Sequence, residues 1–240
     1  MQVPASVSIN TLPAVRVLGN GRYTVMVHGN GGGFSRFDGW ALNDWNGDRL
    51  QEQGGWQFYV RDLDSGRIYR FGAQPLASTT RIEGEAGVVT IREQLDDVTL
   101  TMRVHVAASH AAEVRQLHFH NGSGHAMRMQ ITAYLPIALN HPAAHSAHPA
   151  FSKLFVQTEF CAEAQALLAR RRPRAAGEHA PWMSARLDGP GELRWDTDRA
   201  KFLGRGWGLS SPQGVVEGLA AHQTNVLDPA FVMQRSLIVN

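Results

Sequence analysis

The sequence predicts an all-β fold, a two-layer antiparallel β-sandwich. Three observations carry this. Apolar and polar residues alternate with a period of two over many short segments, 24 glycines and 11 prolines punctuate those segments, and helical periodicity is almost absent. Many turn-bounded strands at short intervals are the pattern of two packed sheets.

The clearest strand is Val98–Val106. Val98, Leu100, Met102, Val104 and Val106 fall on one face, and Thr99, Thr101, Arg103 and His105 on the other. Glu113–Asn121 repeats the pattern through Val114, Leu117 and Phe119 with one step out of phase, which predicts a bulge. Met127–Tyr134 alternates cleanly, and Asn121-Gly-Ser-Gly124 between the two predicts a hairpin. Tyr23–Val27 is an earlier strand. Trp56–Val60 and Arg67–Phe71 form a hairpin around Arg61-Asp-Leu-Asp-Ser-Gly66. Later strands are expected at Ala166–Arg170, Trp182–Leu187, Glu192–Asp196 and Phe231–Val239. Ala162–Ala169 is the one short stretch in which a helix competes with a strand. The segments Leu139–Ala150 and Arg172–Pro181 are expected to be loops, too short to link domains. Residues 1–240 are therefore read as a single domain.

Composition narrows the class. Hydrophobic residues at 43% and charged residues at 18% give a globular balance in a chain long enough to bury a core without staples. A net charge of +2 and a pI near 9 are too mild for a nucleic-acid partner. The densest basic run, Arg170, Arg171, Arg172 and Arg174, is interrupted by Pro173 and reads as a solvated turn. The single Cys161 excludes an internal disulfide framework and reads as a small, partly buried hydrophobe. No run of eighteen apolar residues occurs, and the N-terminus shows no signal-peptide pattern.

Candidate chemistry is sparse. Gly29-Asn-Gly-Gly-Gly33 lacks both phosphate-loop spacings, so its glycines are assigned to positive φ or close packing. His141, His145 and His148 are near one another, but Pro142 and Pro149 interrupt a helical face and no acidic partner is evident. A polar loop is favoured over zinc, and no metal or cofactor is expected. His118 and His120 share one strand face as exposed sheet histidines. Asp44, Asp48, Asp62, Asp64, Glu159, Asp196, Asp198 and Asp228 are available for glycosidase-type chemistry, yet no pair of carboxylates stands out. Phe34, Phe37, Trp40, Trp45 and Trp56 lie in or beside a Gly/Asp/Asn-rich segment. Aromatic faces beside Asp, Asn and Arg suit the C–H face and hydroxyls of a sugar; the alternative is that they are core.

Several stretches resemble one family. Asn20-Gly-Arg-Tyr-Thr-Val-Met-Val27 and Gly31-Gly-Gly-Phe-Ser-Arg36 resemble the opening of the glycoside-phosphorylase-type module of cyclic β-1,2-glucan synthases, in the family that also holds cellobiose and chitobiose phosphorylases. Arg61–Gly66 resembles its hairpin. Ala147-His-Pro-Ala-Phe-Ser-Lys-Leu-Phe-Val-Gln-Thr-Glu159, Arg170–Arg174, Asp196-Thr-Asp-Arg-Ala-Lys-Phe-Leu-Gly-Arg205 and Leu227-Asp-Pro-Ala-Phe231 follow in family order. Two stretches depart from it: Asn43-Asp-Trp45 stands where an Arg-rich element is usual, and His28-Gly-Asn30 replaces Thr-Asn-Ala.

The resemblance implies the N-terminal β-supersandwich of these phosphorylases, similar to the galactose-mutarotase sandwich. It implies that the catalytic acid and most of the phosphate site belong to a following helical (α/α) toroid, so the chain alone is expected to be non-catalytic. Its implied partners are that toroid, a β-glucan or oligosaccharide, and a second copy in a homodimer. The parent enzyme is implied to be a bacterial inner-membrane protein with this domain soluble. The resemblance also places sugar contacts at His148, Phe151 and Lys153, and the neighbouring reading adds Arg36 and Trp45. Two other readings stand beside it: a free-standing carbohydrate-binding protein, and a mutarotase-like enzyme pairing His118 or His120 with Glu159.

Overall fold

The computed structural model describes residues 15–47, 54–72, 81–85, 87–173, 177–223 and 226–240. Asp48 and Arg174 lie outside them. The described residues form sixteen strands and four short helices. In order they are β1 (Val15–Gly19), β2 (Tyr23–His28), β3 (Gly33–Phe37), β4 (Trp40–Asn43), β5 (Gln57–Asp62), β6 (Ile68–Arg70), β7 (Arg81–Glu85), β8 (Val88–Leu95), β9 (Val98–Val106), β10 (Glu113–Asn121), β11 (Met127–Asn140), α1 (Pro142–Ala147), α2 (Pro149–Lys153), β12 (Val156–Cys161), β13 (Ala166–Arg171), β14 (Trp182–Ala185), β15 (Arg194–Asp198), α3 (Arg199–Leu203), α4 (Gln213–Glu217) and β16 (Pro229–Val239).

The all-β class holds. All the strand pairs are antiparallel, in three sheets. The largest runs β1-β2-β3-β4-β11-β16-β15, with β5 also on β11 and β6 on β5. The 14-residue β11 is its spine: β16 flanks one edge, while β5 and β4 share the other. A four-stranded sheet, β10-β9-β8-β7, packs against it, and β12-β13-β14 is a third, smaller sheet.

The core lies between the two larger sheets. Val25, Val27, Leu135, Ile137 and Phe231 from one meet Ile91, Leu100, Met102 and Val104 from the other, all fully buried. The opposite face of the large sheet carries a second cluster in which Tyr59, Tyr134 and Val232 pack on Phe202 of α3 and Val215 of α4. Tyr134 stacks on Phe202 at 4.9 Å between centroids. The large sheet is therefore buried on both faces where β11 crosses it, which is why β11 ends in ten near-continuously buried residues.

Four sequence expectations need correction. β10 runs against β9 from Glu113↔Val106 to Asn121↔Val98 without a register shift, so there is no bulge; Glu113, Arg115, Leu117 and Phe119 face inward, and Val114 is 42% exposed. β10 and β11 are not a hairpin. They belong to different sheets, and Asn121-Gly-Ser-Gly124 carries the chain from one layer to the other. The segment expected to be a loop after Leu139 completes β11 and then forms α1 and α2. Pro142 and Pro149 occupy first-turn positions of these helices, where a missing N–H costs nothing. The basic run is not a solvated turn, since Arg170 and Arg171 end strand β13 and Arg171 is 3% exposed.

The glycine-rich stretch after β2 has the close-packing role expected of it. Gly33 has φ +139°, and a Cβ there would lie 1.9 Å from the Met26 carbonyl oxygen. Gly55 has φ +83° and sits directly against the Gly33 backbone. Only glycine at both positions lets the β2–β3 turn seat against the segment entering β5.

Candidate functional site

Several of the residues singled out from sequence lie at or beside one rim of the large sheet, where β4 and β11 end and α1 and α2 begin. Asn43 is buried and fixes this corner. Its Oδ1 accepts from the Ser35 N–H at 2.6 Å, and its Nδ2 donates to the carbonyls of Gly33 and Asp44, both at 3.0 Å. The Asp44 N–H donates to the Pro136 carbonyl of β11 at 2.9 Å. Asp44 and Trp45 are thereby pinned at the sheet edge.

From Asp44 a continuous chain of charge crosses the rim. His145 of α1 meets Asp44 Oδ1 through Nε2 at 3.0 Å, and Lys153 of α2 meets Oδ2 through Nζ at 3.0 Å. Lys153 also reaches Asp228 Oδ1 at 2.9 Å. Arg199, the first residue of α3, donates from Nη1 to Asp228 Oδ2 at 2.9 Å and from Nε to the Tyr134 hydroxyl at 2.8 Å. Asn140 Nδ2 donates to Ser152 Oγ at 2.7 Å, and the other His145 nitrogen lies 3.4 Å from that hydroxyl. The consistent assignment has His145 donating to Asp44 and accepting from Ser152. Burial by itself pushes the Asp44 carboxyl up. The His145 hydrogen bond, with the charge and hydrogen bond of Lys153, outweighs that and holds it well below the usual carboxylate range.

Around this chain the surface is apolar and open. Phe151 is 57% exposed, Leu154 49% and Leu227 75%, the last two adjacent in sequence to Lys153 and Asp228. Phe151 packs edge-on against Phe155 at 5.3 Å, and the guanidinium groups of Arg171 and Arg172 both stand over Phe155. Arg171 Nη1 also donates to the Ser152 carbonyl at 2.9 Å, tying α2 to β13. Beside Asp44, Trp45 meets Phe34 edge-on at 5.3 Å, and Arg36 lies over the other partner of that contact, 4.4 Å from the Phe34 ring centre.

The expected site residues thus have different surroundings. Phe151 and His148 are exposed, and Trp45 and Arg36 are half-buried in an aromatic stack. Lys153 is buried at 7% exposure between two carboxylates, so its ammonium organises the rim rather than meeting solvent. The three histidines separate: His141 stacks on Trp40 at 4.4 Å, His145 is bound to Asp44, and His148 precedes α2 in the open. The acidic partner that the sequence did not reveal for His145 is Asp44, 101 residues away. His118 and His120 stand on the outer face of β10 and Glu159 on β12, in separate sheets.

Asp228 and Arg199 had no assigned role from sequence. The signal was present in another form. Lys153, Arg199 and Asp228 each sit in a different one of the family-like stretches, and folding brings those stretches to one ion chain.

A larger cavity, about 810 Å³, lies between the sheets and is lined by the inner face of β10, by β14 and by residues 186–190. Its charged pair is tied into the fold. Glu113 Oε1 accepts from Ser35 at 2.5 Å and from Tyr23 and Trp56 at 3.3 Å, while Oε2 pairs with Arg115 at 2.9 Å. Arg115 Nη1 donates to the Gly31 carbonyl at 2.6 Å. The carboxylate is fully engaged and each guanidinium nitrogen already has an internal partner, so the rim is the better candidate.

A β-sandwich in which three of the family-like stretches meet at one rim defines a class. The chain belongs to the glycosyl hydrolase 94 supersandwich domain family, whose model matches residues 6–240. Among curated proteins it is similar to the cyclic beta-(1,2)-glucan synthase NdvB of Rhizobium meliloti (strain 1021), with 27% identity over 232 residues. That match covers 91% of this chain and 8% of the relative, so the chain spans a small part of the relative's length.

Proposed function

We propose that this is a non-catalytic, carbohydrate-associated domain of a cyclic β-1,2-glucan synthase-like glycoside phosphorylase, in which it shapes the glucan cleft and packs on a helical (α/α) catalytic domain. The observation that carries the reading is the rim itself. A half-buried ion chain centred on the buried Lys153, Asp44–Lys153–Asp228–Arg199, has exposed Phe151, Leu154 and Leu227 beside its members along the chain. A pre-ordered polar centre inside an open apolar ring is what one half of an interface presents. In this reading the parent performs the phosphorolysis or glycosyl transfer, with its acid on the partner domain. Among the described residues no helix is long and apolar enough to cross a membrane.

Phe151, His148, Trp45 and Arg36 are the proposed sugar contacts, and Lys153 positions them through α2 and Asp44. Phe151 offers an exposed ring face for a glucose C–H face, while His148 and Arg36 supply hydrogen-bonding groups. The test is calorimetric titration of the chain with linear and cyclic β-1,2-glucans, with cellobiose as control. Saturable heat that is lost in Phe151→Ala supports the reading. No heat at millimolar glucan removes the sugar contacts and leaves only the docking role. For that role, sedimentation of the chain mixed with the helical domain of its parent should show a complex that Phe151→Asp weakens.

A further inference from the structure

A second pocket, about 740 Å³, opens between α3 and α4, on the far side of the second core cluster from the sheet. Nothing in the rim reading uses it. Its floor is a histidine held by a buried carboxylate. Asp196, 2% exposed, accepts from the Asp198 N–H at 2.8 Å through Oδ1, and from the Ala220 N–H at 3.2 Å and His222 Nδ1 at 2.8 Å through Oδ2. Both carboxylate oxygens are thus occupied in fixing one loop and one ring. Because Nδ1 donates to Asp196, the neutral His222 presents Nε2 as an acceptor, and among the described residues no group bonds it. The His222 side chain is 40% exposed and lines the pocket.

The wall opposite is aromatic and polar. Trp207 is 45% exposed and lines the same pocket with Arg205, Gln213 and Glu217. Gln213 Nε2 donates to Glu217 Oε2 at 2.6 Å, which leaves further acceptor capacity on that carboxylate and the Gln213 carbonyl oxygen. Gly204 lets the end of α3 pack directly on Gln213: a Cβ there would lie 2.2 Å from Gln213 Oε1. An open indole face, one oriented imidazole acceptor, one carboxylate, one guanidinium and the Lys201 ammonium match a neutral ligand that has an apolar face and an edge of groups that both donate and accept. A pyranose is that ligand. A phosphate or other anion is not selected, since Glu217 and Asp196 offset Arg205 and Lys201.

We propose that this pocket is a separate saccharide-binding site, in which Trp207 stacks on a pyranose ring and His222, oriented by Asp196, accepts a hydrogen bond from a sugar hydroxyl. It does not depend on the rim. The probe is sophorose, the β-1,2-linked glucose disaccharide, with a linear β-1,2-glucan and cellobiose alongside. The readout is the indole N–H resonances of the chain by NMR, assigned through single Trp→Phe variants, together with calorimetry.

The expected result is a saturable shift of the Trp207 indole. Affinity at that site should fall about tenfold in His222→Ala, the loss of one well-placed hydrogen bond, and the shift should persist in Phe151→Ala. Phe151 is exposed, whereas His222 is half-buried and its removal leaves Asp196 with the Asp198 and Ala220 N–H donors; the remaining indole resonances report whether the fold is kept in each variant. A Trp207 indole unmoved by every sugar overturns the proposal, whether or not Trp45 responds. If Trp45 responds alone, the rim reading stands by itself; if neither responds, both sugar readings fail. A Trp207 shift with unchanged affinity in His222→Ala overturns the role given to the dyad.

Discussion

Two of the charged groups in the molecule are built differently. Glu113 and Arg115 sit inside the sandwich on one strand, two residues apart, with side chains 9% and 7% exposed. Every oxygen and nitrogen of the pair is used internally, by Tyr23, Ser35, Trp56 and the Gly31 carbonyl. The rim chain draws on β4, α1, α2, α3 and the segment before β16, and its two carboxylates remain 31% and 27% exposed. The first group is closed and joins the two sheets. The second is ordered but reaches the surface, inside a ring of exposed apolar side chains. A closed group serves stability alone, whereas an open, pre-ordered one can serve a partner as well.

The sharpest test of that contrast is Glu113→Ala. It leaves the Arg115 guanidinium buried without its carboxylate and strands three neutral donors, so a loss of roughly 3–5 kcal/mol is expected, read by urea unfolding. Glucan binding, measured well below the lowered midpoint, should be unchanged. Lys153→Met comes next. It leaves Asp44 with His145 and Asp228 with Arg199, and both carboxylates can also turn toward water, so the loss should be smaller, about 2–3 kcal/mol. This variant should also lose glucan heat, because α2 is no longer held. Equal behaviour of the two variants in binding would abolish the distinction.

A third measurement uses pH. The Asp44 carboxyl is held below its unfolded value of about 4 by His145 and Lys153 against the opposing effect of burial. Its contribution is therefore complete above that pH and is lost as pH falls toward the folded value. Wild type should be more stable than Asp44→Asn at neutral pH, and the gap should narrow below about pH 4. A gap independent of pH would mean that the ion chain contributes through packing and not through charge.

How much of this was legible in the sequence depended on whether charge interrupted the pattern. β9 was read correctly because its inward residues are all apolar. In β10 the apolar alternation is out of step by one residue because two of its inward positions are Glu113 and Arg115; the sequence pattern therefore points to Val114 as core and to a bulge, and the structure has neither. A buried ion pair cannot be told from a solvent face by periodicity alone. By sequence Pro142 and Pro149 interrupt a helical face, whereas in the structure each opens a helix. The Asp44–His145 contact spans 101 residues and has no local signature. The fold and the stretches that build the rim were legible. The pairing of charges was not, because it is decided by where separate stretches meet in space.

The smallest expected effect on stability is also the most specific for function. Phe151 is 57% exposed, and its ring touches the chain mainly through the edge contact with Phe155. Phe155 is itself held by the stacked guanidinium groups of Arg171 and Arg172, so it does not depend on Phe151 for its place. Phe151→Ala should therefore change unfolding free energy by no more than about 0.5 kcal/mol. If the rim binds glucan, the same substitution removes the stacking face and should abolish the calorimetric signal. Phe151→Tyr, which keeps the ring, should retain it. A variant that is fully stable and does not bind would place Phe151 outside the core and inside the interface. A variant that loses both would mean that the apolar ring around the ion chain is simply the outermost layer of the core.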